Sequence, residues 1–144
     1  MTLTWLLLIP FLGGLLAWQM ERAGRDAPRH IALACTVLMM AFSAGIWLGG
    51  DFRYGPGEHA WLVEEQYPWI DRLGITFHLA LDGLGLVMIM LTGLLGAVAV
   101  LASWKEVTHR TGLFHLNLLW ILAGVVGVFL VVDLFLFFVF WEVM

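Results

Sequence analysis

The sequence has little charge and almost no cysteine. Charged residues make up only 12% of the chain, and its seven lysines and arginines never cluster, so a nucleic-acid partner is not expected. The single cysteine, Cys35, excludes an intrachain disulfide and a four-cysteine metal site. Cys35 lies in an apolar run, where a thiol is expected to behave as a small buried hydrophobe. We predict no metal site in this chain.

Motifs for nucleotide binding and covalent catalysis are also missing. The segment Gly83-Leu84-Gly85 lacks the third glycine and, by our prediction, the preceding strand of a dinucleotide-binding fold. No Walker-type loop occurs, and no serine or cysteine has a base at catalytic spacing. We therefore expect NADH binding and redox chemistry, if any accompany this chain, to reside in other polypeptides.

Apolar residues are abundant instead. They make up 62% of the chain, whereas soluble domains contain roughly 45–50%. Four apolar runs approach the ~20 residues that a helix needs to cross a bilayer, and a lone strand would leave its backbone unpaired in lipid. The sequence therefore predicts an integral membrane protein with helical spans at about 3–20, 31–50, 79–102 and 112–132.

The last of these runs continues almost unbroken to Met144. As one helix, residues 112–144 would extend ~50 Å, which is too long for a bilayer, so Asp133 is expected to divide it. The fifth span, 134–144, then covers only ~16 Å and would leave its last carbonyls unsatisfied in the membrane. We expect an all-α polytopic bundle in one domain, 1–144, that is the N-terminal piece of a longer protein or needs a partner.

Basic residues predict the orientation. Arg22, Arg25, Arg29, Lys105 and Arg110 follow spans one and three, whereas only Arg53 and Arg72 lie between spans two and three. Basic connections stay in the cytoplasm, so the N-terminus is expected outside. The first run lacks a positive leader and is expected to be retained rather than cleaved.

The external connection, about 51–78, is predicted to be a short ordered cap with a hairpin. It contains the turn signals "YGPG" and "YPW" and the β-type run "GITFHLAL". Small residues on the helix faces predict close helix packing rather than a cofactor cleft. They are Ala41, Gly45 and Gly49 on span two, Gly93, Gly96 and Ala97 on span three, and Ala123, Gly124 and Gly127 on span four.

Glu142 is an acid inside an apolar helix. It follows Asp133 by nine residues, or ~14 Å of helix, which places it near the middle of a ~30 Å hydrocarbon layer. A charged carboxylate there costs ~3 kcal/mol or more. Burial favours the protonated form of this acid, and a nearby lysine would favour the ionised form. An acid on which these two effects nearly balance can change its protonation state, as a proton relay requires. The alternative is a permanently protonated Glu142 that only links helices.

Two segments carry a family resemblance. "LWILAGVVGVFLVVDLFLFFVFWEVM", Leu119 to Met144, and "GITFHLALDGLGLVM", Gly74 to Met88, resemble the M subunits of the proton-pumping NADH:quinone oxidoreductase, respiratory complex I. These subunits belong to an antiporter-like group shared with multisubunit Na+/H+ antiporters. The resemblance runs over essentially the whole chain but covers only the N-terminal helices of the family.

The resemblance implies roles for three acids. Glu142 matches the glutamate of a Trp-Glu pair that faces a lysine of a later helix across a proton half-channel, and movement of charge on that pair couples quinone reduction to proton translocation. Asp82 matches an Asp-Gly acid and Asp133 the acid before helix five. Both also fit helix N-caps. Gly85 stands where many members have serine, which weakens a hydrogen-bonding role there.

The resemblance also implies partners, location and cofactors. The expected partners are other complex I membrane subunits and the lipid of the inner (cytoplasmic) membrane. FMN, iron-sulfur clusters and quinone are expected in other subunits, and this chain alone is not expected to pump.

Other interpretations remain open from the sequence. One is the corresponding subunit of a multisubunit Na+/H+ antiporter or a membrane-bound hydrogenase. A second is a haem-binding anchor with His30 and His115 as ligands, although both positions also suit solvated interfacial histidines. A third is a purely structural scaffold.

Overall fold

The computed structural model describes residues 2–24, 26–50, 61–70 and 75–144 of the chain. Within them the order is α1 (Thr2–Met20), α2 (Ala27–Gly49), β1 (Val63–Ile70), β2 (Ile75–Leu81), α3 (Gly83–Ala102), α4 (Thr111–Leu130) and α5 (Leu134–Val143). The first four helices are long and apolar enough to cross a membrane, and α5 is shorter. The predicted helix bundle is confirmed, with four long apolar helices and a fifth, shorter one.

Two helices begin several residues away from the positions that the apolar runs predicted. Helix α2 begins at Ala27, with Pro28 in its first turn, so Arg29 lies in the helix and is buried rather than in a connection. Helix α3 begins at Gly83, since residues 79–81 complete strand β2. A strand thus does precede Gly83, contrary to the prediction, but it belongs to an antiparallel hairpin and not to the parallel unit of a dinucleotide fold.

The predicted hairpin is confirmed in the described residues. Strands β1 and β2 pair antiparallel, with Val63 opposite Leu81 and Tyr67 opposite Phe77. The "YPW" segment lies inside β1 and not in a turn, and the pairing is irregular between Pro68 and Ile70. Proline has no N–H to donate to a ladder, which explains the irregularity. The "YGPG" signal lies outside the described residues.

The hairpin lies at one end of the bundle, which we call the hairpin end. The beginnings of α1 and α3 and the connection between α4 and α5 meet there, while the α1–α2 and α3–α4 connections lie at the opposite, loop end. A larger core cluster joins the hairpin to the helices. Its buried members are Leu3, Leu6, Leu7, Met39, Leu79, Leu81, Leu86, Ile89, Val126, Leu130, Leu136 and Phe140.

Small residues allow close helix approach on α3 and α4, as predicted. A Cβ added at Gly96 would lie 2.6 Å from Leu122 Cδ1, and one at Gly93 would lie 2.8 Å from Met40 Cγ. The prediction is wrong for α2. Within the part of the chain that the structure describes, no heavy atom lies within 4 Å of a Cβ added at Gly45 or Gly49, and Ala41 is exposed.

Candidate functional site

Asp82 begins helix α3. It directly follows β2, and its Oδ1 accepts a 2.6 Å hydrogen bond from the backbone N–H of Gly85. This contact satisfies one of the free N–H groups of the first turn and makes Asp82 an N-cap. A Cβ added at Gly85 would lie 2.8 Å from Asp82 Oδ1 and 3.4 Å from the carbonyl oxygen of Phe129, so the first turn of α3 lies close to the last turn of α4.

Asp133 begins helix α5 and separates it from α4, as the sequence predicted. Its Oδ1 accepts hydrogen bonds from the N–H groups of Phe135 at 2.8 Å and Leu136 at 3.2 Å. The residues just before it pair with β2. The N–H of Val132 donates to the carbonyl oxygen of His78 at 3.1 Å, and Val131 forms an antiparallel bridge with Leu79. The hairpin therefore holds the beginning of α5.

Glu142 lies further along α5, on a different face from the residues that pack inward. Leu136 and Phe140 are buried, and the ring of Phe140 packs so closely on Gly127 that a Cβ there would lie 2.4 Å from it. Glu142 comes two residues after Phe140, or about 200° around the helix, and is exposed. Among the described residues no basic side chain forms an ion pair with it.

The three predicted acids therefore separate into two positions. Asp82 and Asp133 both cap helices at the hairpin end. Glu142 lies ~14 Å from Asp133 along α5. The structure establishes their positions and the capping contacts, and the proton-relay roles stay predictions.

Glu65 makes a polar contact that the sequence did not predict. It lies on β1 with only 7% of its surface exposed. Its carboxylate accepts hydrogen bonds from the N–H of Leu3 at 2.9 Å, the N–H of Thr4 at 3.2 Å and the hydroxyl of Thr4 at 2.7 Å. A carboxylate at a helix N-terminus satisfies free donors and is favoured by the helix dipole. Glu65 thus fastens the hairpin to α1.

The surroundings of Glu65 lower its pKa. Burial, the largest single influence, opposes ionisation, but hydrogen bonds to the carboxylate, among them those from Thr4 and Leu3, together outweigh it. The carboxylate is the better acceptor, so these donors stabilise the charged form. Nothing near Glu65 in the sequence signals this contact, because its partners lie more than sixty residues away.

The two histidines considered as haem ligands occupy different environments at the loop end. His115 is fully buried and His30 is exposed, where it packs edge-on against Trp104. The Nδ1 atom of each contacts a carbonyl oxygen four residues earlier on its own helix, at 2.7 Å for His115 and 2.8 Å for His30. Within the described ranges there is no group of three or more histidine, cysteine or acidic residues that could hold a metal ion.

These features define a class: a multi-pass α-helical membrane protein with a capped, hairpin-covered end. No family model matches the chain. Over its full length it is 55% identical to NADH-quinone oxidoreductase subunit M of Pseudomonas aeruginosa and 56% identical to that of Escherichia coli K12. The subunit M of Buchnera aphidicola from Schizaphis graminum is 41% identical over 99% of the chain.

The chain belongs to the family of M subunits of NADH-quinone oxidoreductase, whose N-terminal part it matches. It spans 29% of the length of these relatives. A chain in the solved structure of the membrane-bound sulfane sulfur reductase, an archaeal respiratory membrane complex, matches 96% of this chain and 21% of its own length, with a TM-score of 0.74 and 27% identity. These comparisons support the M-subunit interpretation and not the antiporter, hydrogenase or haem alternatives.

Proposed function

We propose that this chain supplies part of a proton half-channel to the membrane arm of a proton-translocating NADH:quinone oxidoreductase. One observation carries the proposal: α5 uses Leu136 and Phe140 to pack inward and presents Glu142 on another face. That acid lies ~14 Å along an otherwise apolar helix. Membership of the M-subunit family supports the assignment.

The exposed face of α5 is where we place the rest of the half-channel. An acid at this depth costs ~3 kcal/mol or more unless it is protonated, paired or hydrated. In the family the matching glutamate faces a lysine of a later helix. We assign such a lysine as the partner of Glu142, so that charge movement on the pair couples quinone reduction to proton transfer.

Asp133 and Asp82 are the weaker candidates for proton entry. Each carboxylate already caps a helix at the hairpin end, with a backbone N–H as donor. Both lie where the N-termini of helices meet a short connection, and an acid in such a place can exchange protons with water more readily than one at the membrane centre. Their capping and proton-entry roles are compatible.

The location follows from the charge distribution. We place the protein in the inner (cytoplasmic) membrane with the hairpin end and the N-terminus outside and the loop end in the cytoplasm. Five of the seven basic residues fall in or beside the two loop-end connections, which supports this orientation. Lipid contacts the outward apolar faces, and other membrane subunits of the complex are the protein partners.

Redox chemistry is assigned to other subunits. We place FMN, the iron-sulfur clusters and the quinone there, and we assign no cofactor to this chain. The 144 residues alone are not expected to pump, since the lysine assigned as the partner of Glu142 lies on a later helix.

The assembled complex carrying Glu142→Gln tests the proposal. We expect proton translocation and electron transfer to fall together with assembly intact, because glutamine cannot ionise and the proposed mechanism links quinone reduction to charge movement at this residue. Glu106→Gln, which changes an exposed acid in the α3–α4 connection, serves as the matched control and should leave both rates unchanged. Wild-type rates in the Glu142→Gln complex would reject the relay role.

A further inference from the structure

Two buried side chains at the loop end each have one polar atom without a partner among the described residues. Arg29 is 8% exposed, and one of its terminal nitrogens donates to the carbonyl oxygen of Val107 at 2.8 Å while the other contacts the Asp26 carboxylate. Its Nε–H remains unpaired. His115 is 0% exposed, and its Nδ1 forms a hydrogen bond with the carbonyl oxygen of Thr111. Its Nε2 has no partner among the described residues.

The contact with Thr111 determines what Nε2 offers. A carbonyl oxygen only accepts hydrogen bonds, so the ring hydrogen of His115 is on Nδ1. A second hydrogen on Nε2 would create a fully enclosed imidazolium, and enclosure disfavours the charged form. The neutral ring is therefore favoured, and Nε2 presents a lone pair.

One buried donor and one buried acceptor are thus left over at the same end of the bundle. The Arg29 side chain reaches Val107, and His115 bonds Thr111, four residues further along. Buried polar groups are nearly always hydrogen-bonded, because each unsatisfied one costs ~1–3 kcal/mol. A single occupant that reaches both atoms would have to accept from Arg29 Nε–H and donate to His115 Nε2.

We propose that the loop end contains a binding site for one internal water molecule, which accepts a hydrogen bond from Arg29 Nε–H and donates one to His115 Nε2. Water has both functions in one small molecule and commonly satisfies such groups. A metal cation would be repelled by the Arg29 guanidinium, and an anion would face the lone pair of Nε2. The site does not depend on the proposed role of Glu142.

This water site joins three parts of the fold. Arg29 lies in the first turn of α2, Val107 in the α3–α4 connection and His115 in α4. The bridge would complete a continuous set of hydrogen bonds across them. The loop end would then be held by polar contacts, as the hairpin end is held by Glu65.

A density map of the assembled complex, at a resolution that shows ordered waters, tests the proposal directly. We expect a peak about 2.7–3.2 Å from both Arg29 Nε and His115 Nε2. Absence of a peak where other buried waters are visible would overturn the proposal. So would a side chain from elsewhere in the complex bonded to Nε2, or a peak that contacts only one of the two nitrogens.

Substitution of the two histidines provides a matched comparison. His115→Leu removes the acceptor, so the peak should disappear and amide hydrogen exchange in the first turns of α4 should become roughly tenfold faster, as loss of a buried hydrogen bond predicts. His30→Leu removes an exposed ring with the same local Nδ1 contact and should change neither. Equal effects of both substitutions, or an unchanged peak in His115→Leu, would contradict the site.

A second variant tests the proposal even when the His115→Leu complex does not assemble. His115→Gln keeps a side-chain acceptor at this position and should retain both assembly and the water peak. Loss of the peak in an assembled His115→Gln complex, with Arg29 unmoved, would overturn the assignment.

Discussion

The carboxylate of Glu65 on β1 accepts a 2.7 Å hydrogen bond from the hydroxyl of Thr4 on α1, sixty-one residues earlier in the chain. The same carboxylate also accepts from the N–H of Leu3. β2 in turn pairs with the α4–α5 connection through His78 and Val132. The hairpin therefore links the beginning of α1 to the beginning of α5, the helix that carries Glu142.

Glu65→Ala should loosen the first turn of α1. Hydrogen bonds to a charged group contribute ~1.5–3 kcal/mol, so the amides of Leu3 and Thr4 should exchange with deuterium about tenfold faster or more. Hydrogen exchange of the assembled complex provides the measurement. Glu64→Ala is the control, because that neighbouring acid is exposed and bonds His78 instead. Equal acceleration in the two variants would show that Glu65 does not hold α1.

Acid should release the same contact at a predictable pH. The pKa of Glu65 is lowered below its ordinary value of 4.5, so its ionised form contributes stability above pH 4.5 that is lost as the pH falls through the lowered value. Corrected for intrinsic exchange, protection of the Leu3 and Thr4 amides should persist below pH 4.5 and then decline. In Glu65→Gln this decline should be absent. A decline that begins well above pH 4.5 would contradict the lowered pKa.

Gly127→Ala should disturb the packing of α5 on α4. The new Cβ would lie 2.4 Å from the ring of Phe140, and such overpacking costs ~1–3 kcal/mol. Amide exchange in α5 around Leu136 should accelerate.

Gly45→Ala is the matched control for this change. Within the described part of the chain, a Cβ there has open space, and alanine favours a helix by ~1 kcal/mol over glycine. Exchange in α5 should therefore match the wild type. Unaltered exchange in Gly127→Ala would refute the close contact.

Two substitutions of Asp133 distinguish its capping role from its proposed role in proton entry. Asparagine caps helices about as well as aspartate, whereas alanine loses ~1 kcal/mol. We expect Asp133→Asn to preserve slow exchange at Phe135 and Leu136, and Asp133→Ala to lose it. If Asp133 also admits protons, translocation should fall in Asp133→Asn while the cap stays intact. Normal translocation in that variant would leave Asp133 a cap alone.

The length of the apolar runs predicted which segments form helices, but it did not predict where every helix begins. The first turn of α2, Ala27 to His30, contains a proline and two polar residues, so the apolar run predicted a later beginning for this helix. Residues Leu79 to Leu81 are apolar and fit a strand or a helix equally well by composition. Only pairing with β1 and Val131 makes them a strand.

The candidate site was also predictable only in part. Capping by Asp82 and Asp133 was predictable, because a cap bonds to N–H groups two or three residues away. The contacts of Glu65 and the burial of His115 were not, since both depend on segments distant in sequence. The open face at Gly45 was missed because small residues show only that close approach is possible, not that a neighbour is present.

We propose that the carboxyl group of Glu142 gains and loses a proton during turnover. Infrared difference spectra of the assembled complex, recorded between its resting and quinone-reducing states, test this most directly. We predict a band in the carbonyl-stretch region of protonated carboxylic acids that is present in the wild type and in Glu106→Gln but absent in Glu142→Gln. A spectrum of Glu142→Gln with every carboxylic-acid band unchanged would contradict the claim.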